Sequence, residues 1–203
     1  EYKQELTITD SPTLDSIVVT DEGVAKSFIP NVYECMSLLS KKRVKVSASA
    51  KKHATIKSIT VSVGTFNKTV NTPTADVLFD GLTNANSEIT YTITATDSRN
   101  NVTTWTQKAK YHQYVRPSII NLNVARNGAE SSNGAISADG EYWQGKVGNT
   151  TNAINITITG SATGSTTGML NSNKWSATKP IGGANPNQAY TYTLTATDKF
   201  GQS

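Results

Sequence analysis

The side chains that could act as acids, bases or nucleophiles form no recognisable catalytic pattern. The chain has two histidines, His53 and His112, and one cysteine, Cys35. Neither histidine has a Ser, Cys or carboxylate partner at a motif spacing, and one cysteine cannot build a zinc site of the usual kind. We expect His53 to lie in a turn and His112 in a strand, both solvated or packed. No catalytic residue, enzymatic activity or cofactor is therefore predicted.

Acidic and glycine-rich segments give two further candidate sites. Calcium could be held around Asp97 or by Asp139-Gly-Glu-Tyr-Trp143, but calcium loops use dense, alternating carboxylates, which neither segment has. The glycine-rich run at 160–168 lacks the lysine and the strand-to-helix setting of a phosphate loop. We expect that run to be a flexible hairpin loop, and no metal site is predicted.

Three aromatic residues are the best candidates for contact with a glycan or a partner: Tyr142, Trp143 and Trp175. Tyr142 and Trp143 are adjacent, so in a strand one should pack inward while the other reaches solvent. Trp175 lies in the polar setting Asn-Ser-Asn-Lys-Trp-Ser. An exposed aromatic ring can stack on a sugar. Packing in a core or at a domain junction is the competing interpretation for all three.

A repeated string ends in a predicted turn. "YTITATDSRNN" begins at Tyr91, and its near copy "YTLTATDKFGQ" begins at Tyr192. Asp97 and Asp198 end the two strands, where Asp accepts local backbone N–H groups and a following Asn tolerates positive φ. Arg99 is expected to pair with Asp97 or with a neighbouring strand. We interpret these residues as structural.

Composition excludes several classes of protein. The chain has 203 residues, enough for two ordinary domains, with 17% charged residues and a net charge of +4. There is no basic stripe with interleaved aromatics, so nucleic-acid binding is not expected. A single cysteine excludes an internal disulfide. No apolar run reaches the roughly 18 residues of a membrane span, so membrane insertion is not expected.

Apolar and polar residues alternate with a period of two in both halves of the chain. Apolar residues alternate with Thr, Ser or Lys, as in strands that bury one face. Only the segment from Val32 to Lys42 hints at a helical turn. In the first half we predict seven strands, at 14–20, 42–50, 56–64, 66–71, 75–80, 88–97 and 102–113. This pattern predicts an all-β fold of two tandem immunoglobulin-like antiparallel β-sandwich domains.

Two pairs of similar segments define a repeat of about 100 residues. The Tyr91 and Tyr192 strings lie 101 positions apart, and "PTLDSIVV" at Pro12 and "PSIINLNV" at Pro117 lie 105 apart. We therefore expect domain 1 at 12–116 and domain 2 at 117–203. Domain 2 has no counterpart of the strand that follows Asp97 in domain 1.

The first eleven residues align with 106–116 at the 105-residue shift, which places Leu6 on Tyr111. Residues 1–11 are therefore expected to be the last strand of a preceding repeat. The open edge of domain 2 could accept this strand from another copy, giving self-association by strand exchange. The competing interpretation is a fragment end that is frayed or pairs locally.

Three segments resemble the Ig-like repeats of minor structural tail proteins from siphophages of Gram-positive bacteria, a domain-of-unknown-function family. They are "FIPNVYECMSLLSKKRVKVSASAKKHATIKSITVSVG", "ITYTITATDSRNNVTT" and "VARNGAESSNGAISADGEYWQGKVG". The likeness covers most of residues 12–150. The second repeat departs from it, with Lys199-Phe200 where the first has Ser98-Arg99.

The resemblance implies a non-enzymatic tail-tip or tail-fibre protein, assembled in the host cytoplasm and located in the virion. Implied partners are other phage tail proteins and, where the domains are adhesive rather than only spacers, host cell-wall carbohydrate. The family brings no catalytic residues. A bacterial surface adhesin stalk and a carbohydrate-binding module are the alternatives, because both are built from similar all-β modules.

Overall fold

The computed structural model describes residues 10–160, 164–166, 169–171, 173–185 and 187–203. The chain divides into two compact units between Gln113 and Tyr114, three residues before the boundary expected from the prolines. Strands and one 3₁₀ turn, Val24–Ser27, make up the regular structure of these residues, so the fold is all-β. Within them no helix is long and apolar enough to cross a membrane. Residues 1–9 of the expected N-terminal strand lie outside the described part.

Among its described residues, 10–113, the first unit contains eight strands in two sheets. One sheet has the order β1-β3-β6 and the other β2-β8-β7-β4-β5. All pairings are antiparallel except that of β2 with β8, which is parallel. The strands are β1 (Thr13–Asp21), β2 (Cys35–Met36), β3 (Lys42–Ser49), β4 (Ile56–Val63), β5 (Phe66–Val70), β6 (Thr74–Phe79), β7 (Glu88–Asp97) and β8 (Val102–His112).

The core of the first unit lies between these two sheets. Alternate residues of β3, β4 and β7 are buried, while the Thr, Ser and Lys residues between them face outward. The strand β8 adds Tyr111 to the core, with Trp105 and Ala109 packed against it. Each strand therefore buries one face, as its alternation predicts.

In the described part of the second unit there are nine strands. Its main sheets have the orders β15-β16-β10-β9 and β14-β13-β17, and β11 pairs with β12. The strands are β9 (Ser118–Arg126), β10 (Gly134–Glu141), β11 (Lys146–Val147), β12 (Thr150–Thr151), β13 (Ile154–Gly160), β14 (Gly164–Thr166), β15 (Met169–Asn171), β16 (Lys174–Ile181) and β17 (Tyr192–Asp198). Its core joins Trp175 and Ala138 of one sheet to Ile156 and Ala196 of the other.

The two units share one strand order. The row β1-β3-β6 corresponds to β9-β10-β16, and the row β7-β4-β5 corresponds to β17-β13-β14. The register agrees too, because the first strand of each unit has an irregularity at the same place, at Asp15 in β1 and at Ile120 in β9, 105 residues apart. Among the described residues, the second unit has no counterpart of β8 beside β17.

All seven strands predicted for the first half are confirmed, with bounds that differ by one residue at most. The segment from Val32 to Lys42, which hints at a helical turn, forms no helix, although Leu39 and Ser40 donate their backbone N–H groups to the Met36 carbonyl in a turn. Cys35–Met36 instead forms β2, because its backbone pairs with Tyr111 and His112 of β8. Part of the predicted loop at 160–168 is the strand β14, which pairs with β13; residues 161–163, 167 and 168 lie outside the described part.

Candidate functional site

The carboxylate of Asp97 organises the turn that joins β7 to β8. Its Oδ1 accepts backbone N–H groups from Arg99 at 2.9 Å and Asn101 at 2.8 Å. Its Oδ2 accepts the side-chain amide of Asn101 at 3.0 Å. Asn100 has a φ of 64°, the left-handed conformation that Asn tolerates better than most residues. The turn predicted from the sequence is therefore present, with a buried acid at its centre.

Electrostatics keep the Asp97 carboxyl ionised. Burial by itself would raise the pKa of Asp97, but hydrogen bonds from Asn101 and Arg99 outweigh burial and hold it below its ordinary value. The guanidinium of Arg99 donates to the carbonyl oxygens of Lys51 and Lys52. The Arg99 side chain therefore braces the β3–β4 turn, while its backbone N–H donates to Asp97.

In the second unit, Asp198 occupies the same place at the end of β17. Its Oδ1 accepts the backbone N–H groups of Phe200 and Gln202, each at 2.9 Å. Its Oδ2 accepts the Tyr114 hydroxyl at 2.7 Å and the Asn152 side-chain amide at 3.3 Å. Burial and the hydrogen bond to Asp198 raise the pKa of Tyr114. Asp198 therefore links the turn to the start of the unit.

The aromatic cluster of the second unit consists of Tyr114, Trp143 and Phe200. The Tyr114 ring meets Phe200 edge-on at 5.7 Å between centroids and Trp143 at 5.9 Å, while Trp143 and Phe200 lie 6.1 Å apart. The carbonyl of Trp143 accepts the Asn152 side-chain amide at 2.7 Å. Because Asn152 also donates to Asp198, one polar network fixes both the turn and the backbone of Trp143.

Trp143 is half-buried, and its ring is the aromatic surface of this cluster that a ligand could reach. A cavity of about 170 Å³ lies beside it, lined by Val115, Glu141, Tyr142, Trp143 and Asn173. Gly145 makes room for the indole, since a Cβ there would lie 1.8 Å from a ring carbon of Trp143. The glycine therefore helps to set where the ring sits.

The other two aromatic candidates belong to the core. Tyr142 is 2% exposed and Trp175 is 1% exposed, so neither ring offers a face for stacking on a sugar. The Trp175 indole N–H donates to the Ser118 carbonyl at 3.1 Å, and its ring covers Gly140. Tyr142 and Trp143 do differ in burial, as the alternation predicts. Only Trp143 is left as a contact candidate.

Of the remaining chemistry-bearing residues, His112, Cys35 and Asp139 have structural partners, and His53 is an exposed turn residue. His112 lies in β8, with its Nε2 3.0 Å from Glu34 Oε2, and His53 lies in a turn with a φ of 62°. Cys35 is buried, its Sγ 3.2 Å from the Tyr91 hydroxyl, and burial raises the pKa of its thiol. Asp139 accepts the side-chain amide of Asn121. Within the described residues no three His, Cys, Asp or Glu side chains cluster as metal ligands would.

No protein-family model matches the chain, and no curated protein matches its sequence. Among solved structures it is similar to chitinase ChiA74 from Bacillus thuringiensis, with 16% identity and a TM-score of 0.31. That alignment covers 95% of this chain and 30% of the chitinase chain.

Proposed function

We propose that the chain is a non-enzymatic structural protein of the tail tip or tail fibre of a phage that infects Gram-positive bacteria. In this proposal each unit is an immunoglobulin-like antiparallel β-sandwich that serves as a spacer. The observation that carries it is the repetition of one strand order, with a buried aspartate turn at the same place in both units. What repeats is a scaffold, as expected of a modular spacer.

The placement of polar groups supports a spacer rather than an enzyme. Asp97 and Asp198 direct their oxygens at backbone N–H groups of their own turns. His112 pairs with Glu34, and Cys35 is buried against Tyr91. Each of these side chains satisfies a neighbour within its unit, which stabilises the fold.

The direct test of the proposal is whether the protein is located in the tail of the phage particle. Antibodies raised against the chain should label the tails of purified phage particles that carry the gene, in immunogold electron microscopy. Labelling of the wall of uninfected bacteria, with none on particles, would instead favour a bacterial adhesin stalk. Particles of a deletion mutant that lacks the gene are the matched control.

Trp143 supports a second candidate function, adhesion to cell-wall glycan. Its half-buried indole borders a cavity that also presents Glu141 and Asn173, and polar groups beside an aromatic face suit a sugar ring. We expect retention of the chain on purified host cell walls, lost in Trp143→Ala and partly kept in Trp143→Phe. Equal retention of all three proteins would rule out this site, and thermal unfolding of each variant would show whether the second unit stays folded.

A further inference from the structure

The dipeptide Asn-Gly occurs twice in the chain, at Asn127-Gly128 and at Asn133-Gly134, and both copies are followed by alanine. The two copies lie at opposite ends of the turn that joins β9 to β10, which we call the 127–133 turn. In this dipeptide the backbone nitrogen of the glycine can attack the Asn side chain, since glycine has no side chain to hinder the approach. The local chemistry is the same at both copies, so a difference in their reactivity must come from the fold.

Asn127 and Gly128 have the freedom that this attack requires. Both residues are exposed and lie outside the strands. Among the described residues, neither the Asn127 side-chain amide nor the Gly128 N–H has a hydrogen-bond partner. A Cβ built on Gly128 would meet nothing within 4 Å, so the backbone there has room to rotate. The Gly128 nitrogen can therefore reach the carbonyl carbon of the Asn127 side chain.

Gly134, in contrast, is held inside a sheet. It is buried at the start of β10 and pairs with Ile181 of β16. The Asn133 carbonyl accepts the Asn127 N–H at 3.0 Å, on the side of β9. Because successive residues of a strand alternate between its two edges, the Gly134 N–H faces β16 and serves in that pairing. A Cβ on Gly134 would lie 2.3 Å from the Ala125 carbonyl oxygen, so the backbone there has no space to rotate.

We propose that Asn127 is a site of spontaneous deamidation in the folded protein, and that the sheet protects Asn133 from the same reaction. The Gly128 backbone nitrogen gives up its proton and forms a bond to the carbonyl carbon of the Asn127 side chain. The bond from that carbon to the side-chain nitrogen breaks, and this nitrogen takes up a proton and leaves as ammonia. Water then opens the resulting cyclic imide at either of its two carbonyls, which gives aspartate or isoaspartate.

The reaction changes both the charge and the backbone of the 127–133 turn. A new carboxylate at position 127 lowers the net charge of +4 by one and joins Glu130 in the same turn. Isoaspartate also adds a methylene group to the backbone before Gly128. Since the Asn127 N–H bond to Asn133 closes the hairpin, this lengthening acts where β9 meets β10. This inference goes beyond the proposed function and does not depend on it.

Peptide mapping by mass spectrometry measures both sites in one sample. The purified chain is incubated at mildly alkaline pH, where the backbone nitrogen gives up its proton more readily, and is sampled over time. Deamidation is read from the change in mass between an amide and a carboxyl group, and isoaspartate from labelling by an isoaspartate methyltransferase. We expect Asn127 to react about tenfold faster than Asn133 or more, because the sheet around Gly134 must open before its nitrogen can attack.

The unfolded chain is the matched control for this comparison. In concentrated urea both sites should react at similar rates, because each has the sequence Asn-Gly-Ala and neither is held in a sheet. The protection of Asn133 is then a property of the fold. Equal rates at the two sites of the folded chain would overturn the proposal, and so would a preference for Asn127 that is as large in urea as in buffer.

Single variants identify the attacking nitrogen. Gly128→Ala should slow the reaction at Asn127 about tenfold or more, because a side chain hinders the approach and restricts the backbone. Its thermal unfolding should match that of the unchanged chain, since the new Cβ meets nothing. Asn127→Gln should remove the modified peptide, and Asn133→Gln should leave the rate at Asn127 unchanged. A Gly128→Ala chain that deamidates as fast as the unchanged chain would show direct attack by water and would contradict the mechanism.

Discussion

The ammonium group of Lys42 lies 2.8 Å from Asp21 Oδ2, and both side chains are buried at neighbouring positions of β3 and β1. Lys42 also donates to the Val32 carbonyl at 2.7 Å. Asp21 Oδ1 accepts the backbone N–H groups of Gly23 and Lys41. The pair therefore joins the end of β1 to the two loops that follow it in the first unit.

Replacing Lys42 by Met should destabilise the first unit strongly. The substitution leaves the Asp21 carboxylate buried without its cation, which costs about 3–5 kcal/mol for a buried pair. Urea unfolding followed by tryptophan fluorescence measures the loss. The matched control is Lys108→Met, because Lys108 pairs with Glu88 on the surface, with 68% and 54% of the side chains exposed. The control should change the free energy of unfolding far less. Equal losses would contradict a special role for the buried pair.

Acidic pH should lower the stability of the first unit, in part because the Asp97 carboxylate becomes protonated. The pKa of Asp97 is lower in the folded chain than its ordinary value. Its contribution to stability is therefore complete above the unfolded pKa of about 3.9, and is lost as the pH falls through the lower folded value. Asp97→Asn should be less stable at neutral pH and should lose less on acidification. Thermal unfolding between neutral and acidic pH, with the exposed Asp15→Asn as control, would show this difference in slope.

Removing the hydroxyl group should have opposite effects on the free energy of unfolding at two tyrosines of the second unit. Among the described residues the buried Tyr142 hydroxyl has no hydrogen-bond partner, so Tyr142→Phe should be neutral or should stabilise by about 1 kcal/mol. The Tyr114 hydroxyl donates to Asp198 at 2.7 Å, so Tyr114→Phe should cost about 1.5–3 kcal/mol. Chemical denaturation of both variants makes the comparison. A destabilised Tyr142→Phe would mean that its hydroxyl is bonded in solution.

Gly145→Ala should disturb the Trp143 cluster. The added Cβ would lie 1.8 Å from a carbon of the indole, so the ring must move. Overpacking of this kind costs about 1–3 kcal/mol. Near-ultraviolet circular dichroism should report the altered ring, together with a lower midpoint of unfolding. Gly128→Ala, where a new Cβ meets nothing within 4 Å, is the control and should leave both readouts unchanged.

The local sequence pattern was sufficient to predict the strands of the first unit and the Asp97 turn. The alternation of apolar and polar residues marks which residues face the core, and the Asp97 turn depends on residues within four positions of one another. The short strand β2 could not be predicted in this way. It exists because Cys35 and Met36 pair with β8, more than 70 residues away along the chain.

The interpretation of the aromatic residues needed contacts that are distant in sequence. Trp175 lies among polar neighbours, yet it is buried because Gly140 on the adjacent strand β10 leaves space for its ring. The half-buried position of Trp143 depends on Tyr114 and Phe200, which come from opposite ends of the unit. The polar surroundings of a tryptophan therefore did not predict its exposure.

The near identity of β7 and β17 has a consequence for how the chain folds. The strand β8 can find two almost equivalent templates, its own β7 and the similar β17, which among the described residues pairs with β13 alone. Only the four residues 98–101 separate β8 from β7, so closing that hairpin costs little entropy and is fast. During synthesis β7 also emerges long before β17. Chain order and a short turn, more than side-chain chemistry, therefore direct β8 to pair with β7. When the whole chain refolds from denaturant, β7 and β17 are both present and compete for β8.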